Sequence, residues 1–142
     1  HRILGKYPDT TEKDFFLFRV AKSAYFNLKF KESIEMFREL IQKYPNSSYQ
    51  EEAQYQIGNS YYTDGNYDLA IEAYEELLKK FPKGKLAPHA QFGIAICYEE
   101  LDHLDEALLL YKKLKDHYPT PQVLELKIKS VEERMQRRSH QG

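Results

Sequence analysis

The chain has 142 residues, 42% of them apolar and 14% aromatic, which suits one domain with its own core and excludes a disordered segment. Its 21 basic and 22 acidic residues leave a net charge of −1, which argues against a nucleic-acid partner, since phosphates demand a basic patch. No apolar run approaches the roughly 18 residues of a membrane span, no signal peptide opens the sequence, and a single cysteine, Cys97, excludes an internal disulfide framework.

Four aromatic-proline pairs set the organisation. Tyr7-Pro8, Tyr44-Pro45, Phe81-Pro82 and Tyr118-Pro119 follow one another at a constant step of 37 residues. A register held through three steps is the mark of an array of helix-turn-helix repeats. Each unit reads as two amphipathic helices, a tight turn between them and a proline that stops the second helix by lacking the N–H and disfavouring helical geometry before it. The whole of 1–142 reads as one array: repeats at 14–45, 47–82 and 85–119, then a capping helix at 122–138. Residues 1–8, HRILGKYP, align at the same step with RELIQKYP, placing Ile3 and Leu4 on Leu40 and Ile41. They are expected to be the remnant of a preceding second helix, in a protein whose earlier repeats, and any signal or anchor, lie outside this sequence.

In the first repeat, Thr10 and Thr11 can cap a helix that starts near Asp14. Leu17, Val20, Ala21 and Ala24, spaced 3, 1 and 3, form its core face. Asn27-Leu28-Lys29 is the turn, and the second helix, Phe30 to Lys43, turns Ile34, Phe37, Leu40 and Ile41 inward. The second repeat opens on Ser47 or Ser48 as cap, with Glu51 and Glu52 favourable in the first turn. Ile57, Gly58 and Tyr61 take the positions of Val20, Ala21 and Ala24. Glycine in a helix interior costs up to about 1 kcal/mol against alanine, so the Ala21, Gly58, Ala95 position selects for smallness, as expected where two helix axes approach closely. Gly65 supplies a left-handed residue at the turn. Ala70, aligned with Ser33 and Ala107, is small on the opposing helix, and Tyr74, aligned with Phe37 and Tyr111, is the large ring beside it.

The third repeat keeps this order with Ile94, Ala95 and Tyr98, then Ala107, Tyr111 and Leu114. Pro88 sits in a first helical turn, where its missing N–H does no harm. The turn Leu101-Asp102-His103 lacks glycine and is expected to be less well determined. In the last helix Ile128 and Val131 continue the apolar stripe, but Glu132 occupies the small position and no second helix follows. That is the pattern of a solvating cap, and Arg134, Arg137 and Arg138 suit its C-terminal dipole.

Small Gly58, aromatic Tyr61, Ala70, aromatic Tyr74 and Pro82 together resemble the tetratricopeptide repeat, as do Ala95, Tyr98, Ala107, Tyr111 and Pro119. The first repeat departs from it at Ala24 and Ser33. The resemblance covers Asp14 to Pro119 and implies an all-α, right-handed α-solenoid of antiparallel helix pairs. The step is about three residues longer than the common 34 of the family. This lengthened form, with YPNSSYQEEAQYQIGNSYY and FPKGKLAPHAQFGIAICYEEL, is similar to bacterial envelope members, the outer-membrane-assembly lipoprotein and the cell-division coordinator of the Tol-Pal system. It implies the periplasm, or an outer-membrane anchor through a missing N-terminal region, with the cytoplasm as alternative.

In that family the first helices line a concave groove for a peptide or helix of a partner. Beside the core stripe of each first helix runs a second stripe spaced 3, 4 and 3: Phe15, Phe18, Lys22 and Tyr25; Glu52, Tyr55, Asn59 and Tyr62; His89, Phe92, Ile96 and Glu99. Seven of these twelve are apolar or aromatic, although a water-facing stripe should be polar. They are expected to line a groove for an apolar or aromatic segment of another protein, with Tyr55, Asn59, Tyr62 and Phe92 foremost. The bland alternative is that the rings pack on the next repeat. A carboxylate clamp like that of the co-chaperone members is disfavoured: Asn59 matches it, but Tyr55 stands where a lysine is expected, and Phe92 and Ile96 replace its basic and polar residues.

Catalysis finds little support. His89, His103 and His117 lie 14 residues apart and do not pair at metal-ligand spacing. Cys97 adjoins the core stripe without a histidine partner and reads as a buried thiol. The acidic pairs Glu51-Glu52, Glu75-Glu76, Glu99-Glu100 and Glu132-Glu133 read as solvated faces, and no glycine-rich phosphate loop is present. No catalytic residue, metal site or cofactor is expected. A remaining possibility is a spacer or self-association module, a homodimer through the N-terminal end included.

Overall fold

The computed structural model describes residues 9–141, and the remnant expected at 1–8 lies outside the described residues. Among the described residues seven helices follow one another: α1 Asp9–Phe26, α2 Phe30–Lys43, α3 Gln50–Thr63, α4 Tyr67–Lys80, α5 Ala87–Glu100, α6 Leu104–Leu114 and α7 Pro121–Gln141. Each packs on the next, giving an all-α solenoid of three helix pairs closed by α7. The first helices also touch across repeats, α1 to α3 and α3 to α5, while the second helices approach one another less. The inner side of the curve is therefore built by α1, α3 and α5.

Helix α1 starts earlier than the sequence suggests. Asp14 lies inside it, buried, with its carboxylate accepting from the N–H of Phe15 at 2.7 Å. Glu12 near its start suits a helix N-terminus. Ser47 Oγ accepts from the N–H of Tyr49, the residue preceding α3. Pro88 stands in the first turn of α5 as expected.

The core runs along the array in three contiguous clusters around Phe37, Tyr74 and Tyr111. Ile57 and Ile94 are buried, where their first helices meet the preceding repeat. Leu17 and Val20, their counterparts in α1, are only half-buried, because among the described residues no earlier helix covers that face. The three turns within repeats share one geometry. Leu28, Gly65 and Asp102, each 37 residues from the next, hold φ of 63°, 85° and 68°. The turn without glycine at Asp102 is thus built like the glycine turn, and Arg138 of α7 grips it through two hydrogen bonds of 2.7 and 2.6 Å.

Smallness at Gly58 has a different cause from the one expected. A Cβ there would collide with the ring of Tyr74, and a Cβ at Gly93 would lie 2.7 Å from the far edge of the same ring. Tyr74 of α4 is clasped between glycines of two successive first helices. At Gly58 the limit is set by that ring.

Polar side chains tie helices together, Gln50 and Glu51 between repeats and Gln54 and Ser33 within them. Gln50 donates to the carbonyls of Ile41 and Tyr44, satisfying the free end of α2. Buried Gln54 donates to the carbonyl of Ala73 at 3.0 Å, and Ser33 to that of Ala21 at 3.0 Å. Glu51, expected as part of a solvated face, accepts from the N–H of Leu86 at 2.9 Å and so anchors the chain entering α5.

Candidate interaction surface

The predicted stripe lies on α1, α3 and α5, and its side chains divide between packing and exposure. Phe18 is only 6% exposed: it stacks on Tyr49 at 4.8 Å and meets Phe37 edge-on at 5.7 Å. It belongs to the core, because the ring of Tyr49 folds over α1 from the start of the next repeat. Phe15 is exposed, and the other ten stripe residues are half-buried.

Those half-buried rings form a connected run across repeats. The Tyr25 hydroxyl bonds Thr63 of α3 at 3.0 Å. Tyr55 lies 5.9 Å from the ring of Tyr74 and 6.4 Å from that of His89 on α5. His89 and Phe92 both reach Tyr118, at 5.5 and 5.0 Å. Tyr62 packs against Tyr67 at 5.6 Å. The rings are therefore packed in part against neighbouring helices and left in part open to solvent. Asn59 accepts from Tyr74. Burial raises the hydroxyls of Tyr55 and Tyr62 above the usual tyrosine range, helped by Tyr118 for the first and Glu100 for the second. Both stay neutral donors at neutral pH.

At the C-terminal end of the stripe Glu99 is committed to the fold. Its carboxylate accepts from the Tyr111 hydroxyl at 2.8 Å, from Arg134 at 2.8 Å and from Lys127 at 3.3 Å. With its side chain 14% exposed, it is the hub that docks α7, not a solvated face. Glu132 completes the seam by pairing with Lys112 at 3.3 Å. The periodicity of the acidic pairs masked this role, and the basic run Lys127, Arg134, Arg138 on one face of α7 was the available signal.

Cys97 is fully buried, and burial pushes its thiol up to about 12. His103 and His117 are exposed in a turn and beyond a helix end. Among the described residues no group of three His, Cys, Asp or Glu side chains is placed to hold a metal, and no helix is long and apolar enough to cross a membrane.

Residues 55–120 match one tetratricopeptide repeat family and residues 16–47 another of the same description, and the chain belongs to the tetratricopeptide repeat family. It is similar to the Yersinia enterocolitica type III secretion chaperone SycD in complex with a peptide of the translocator YopD. That likeness is 24% in identity with a TM-score of 0.67, over 94% of this chain and 97% of the other. The same chaperone in an alternative dimer is 26% identical with a TM-score of 0.66, over 94% and 96%. PcrH in complex with the chaperone binding region of PopB is 20% identical with a TM-score of 0.64, over 89% and 98%. No curated protein matches the sequence.

Proposed function

We propose that this chain is a non-catalytic protein-interaction module that holds a peptide or helical segment of another protein along the inner side of α1, α3 and α5. The observation that carries this reading is the run of half-buried Tyr25, Tyr55, Tyr62 and Phe92 on successive first helices. Rings fixed on one edge by packing lose little conformational entropy when the other edge meets a ligand, which is why such residues dominate binding energies. Half-buried Asn59 and neutral tyrosine hydroxyls beside them can orient a peptide backbone. The structures of SycD with a YopD peptide and PcrH with a PopB region support the reading by analogy of fold. We place the module in a bacterial envelope assembly or cell-division pathway, at the periplasm or an outer-membrane anchor, on the resemblance of its lengthened repeats.

The test compares capture from envelope and cytosolic extracts by the chain and by a Tyr55→Ala/Tyr62→Ser variant shown by circular dichroism to be folded. A partner held by the first and lost by the second supports the inner groove. Equal capture by both moves the interaction to the outer side or the ends, and overturns it.

A second reading, self-association, is favoured by one observation. Phe16, Leu17, Val20 and Tyr44 line a groove of about 880 Å³ at the N-terminal end of the array. Sedimentation of the chain and of Val20→Asp decides it: a dimer dissolved by the substitution supports self-association through that end.

A further inference from the structure

One face of α1 carries chemistry beyond that of the inner groove. Phe15, Arg19, Lys22 and Phe26, spaced 4, 3 and 4, fall in a single row along the helix. Phe26 is 70% and Phe15 44% exposed, which is unusual for rings of that size on a folded domain. Between them stand two cations, each over a ring: Arg19 lies 5.6 Å from the centroid of Phe15 and Lys22 5.5 Å from that of Phe18. These residues, with Ser23 and Asn27, line a hollow of about 520 Å³ that contains no carboxylate. Among the described residues neither cation has an acidic side chain within 4.0 Å. Glu12 and Glu39 line the adjoining hollow with Arg19 but form no ion pair with it, so a row with apolar ends about 16 Å apart and two unpaired cations at its centre is a template of definite sign and length.

We propose that this row is a docking strip for an acidic amphipathic helix of a partner protein, one presenting apolar side chains eleven residues apart and carboxylates four residues inside each. Charge complementarity selects that occupant. A second copy of this chain would oppose cation to cation. Its own residues 1–8, HRILGKYP, bring Arg2 and Lys6 and no acid. Because the 4, 3, 4 spacing reads the same in both directions, the strip accepts the helix in either orientation. The site shares Phe15 and Lys22 with the predicted inner stripe, but it stands on Arg19 and Phe26 and does not depend on the groove reading.

The test is an anisotropy titration of the full chain with a fluorescein-labelled alanine-based helical peptide of about 18 residues, carrying two leucines eleven apart and two glutamates between them at that spacing. Saturable binding is expected, weakening as salt is raised. Arg19→Glu/Lys22→Glu should weaken it by about tenfold or more, as two opposed charge pairs become repulsive. Arg19→Gln/Lys22→Gln, which only neutralises the strip, should give a smaller loss, and Phe26→Ala a severalfold one. The probe with lysines for glutamates should not bind, and Tyr62→Ser should leave the titration unchanged, which separates this strip from the inner groove. Absence of saturable binding, or binding indifferent to the charge reversal, overturns the proposal. Binding of phosphatidylglycerol vesicles without binding of the peptide also overturns it, in favour of an acidic membrane surface.

Discussion

The ring of Tyr74 rests on the bare Cα of Gly58 and leaves no room for a methyl group between them. Replacing a mid-helix glycine by alanine ordinarily stabilises by up to about 1 kcal/mol. Here the added Cβ must displace a ring that is only 3% exposed and held by Asn59 and by Gly93 on its far edge. Overpacking of this kind costs about 1–3 kcal/mol, so Gly58→Ala is expected to lower stability by about 1 kcal/mol in urea unfolding. Gly93→Ala should act in the same direction. A midpoint that rises for Gly58→Ala would mean that the ring slides aside without cost. The double change Gly58→Ala/Tyr74→Leu should lose less than the sum of its parts, since the substitutions share one contact.

Glu99 decides whether the last helix stays docked. It meets the hydroxyl of Tyr111 and two cations of α7, whose other anchors are buried Leu124 and Val131 and the more exposed Arg138–Asp102 and Glu132–Lys112 pairs. Glu99→Ala leaves Lys127 without its counter-charge, leaves Arg134 only its longer pair with Asp102 at 3.7 Å, and removes the acceptor for Tyr111. Hydrogen bonds to charged groups are worth about 1.5–3 kcal/mol, and the cations are partly solvated, so a loss of about 2 kcal/mol is expected. The sharper observation is local. Amide exchange should quicken along α7 more than along α2 or α3, and uniform quickening would show that Glu99 supports the whole array and not the cap.

The grip of Arg138 on Asp102 carries a pH signature. That guanidinium, through its hydrogen bonds, holds the Asp102 carboxyl below its ordinary value of 3.8. A group whose folded pKa is depressed contributes stability that is present above its unfolded pKa and is lost as pH falls through the folded one. The contribution is therefore complete at neutral pH and fades below about 3.8. Protection of α7 amides should fall in that window, and Asp102→Asn should remove this part of the acid dependence while leaving the neutral-pH fold in place. An unchanged acid profile in Asp102→Asn would place the sensitive carboxylate elsewhere.

Periodicity made the repeat frame legible, because four aromatic-proline pairs at one step admit few other architectures. It placed α2, Pro88 and the turn residues correctly, since each of those is decided locally by proline, by helix length or by the need for a left-handed residue. It did not show what crosses between repeats. The stacking of Phe18 under Tyr49 buries a residue whose spacing alone put it on the inner face. The roles of Glu51 and Glu99 depend on partners about 35 residues away, Leu86 and Arg134, and a pattern of adjacent glutamates looks the same whether solvated or committed. Gly93 escaped notice for a related reason. Its counterparts are Arg19 and Gln56 in the other repeats and Ser130 in the capping helix, so the need for smallness there belongs to the ring of Tyr74 and not to the repeat.

The three intra-repeat turns supply a controlled comparison of backbone strain. Leu28, Gly65 and Asp102 all lie in the left-handed region, which costs an L-residue about 1–2 kcal/mol and glycine almost nothing. Around Gly65 there is nothing within 4 Å of an added Cβ, so Gly65→Ala meets conformational cost alone and should destabilise by about 1 kcal/mol. Leu28→Gly is the reverse case. Its side chain is 71% exposed, so little packing is lost when it is removed. The relief of strain is partly offset by the greater freedom of glycine in the unfolded chain, and a net gain of about 0.5 kcal/mol is expected. Asp102→Gly relieves the same strain but gives up Arg138, and should leave stability near that of the parent while loosening α7. Urea midpoints for the three variants, with exchange rates along α7 for the last, test the set. Should Leu28→Gly destabilise, the leucine side chain contributes packing that its exposure conceals, and the three turns are not equivalent.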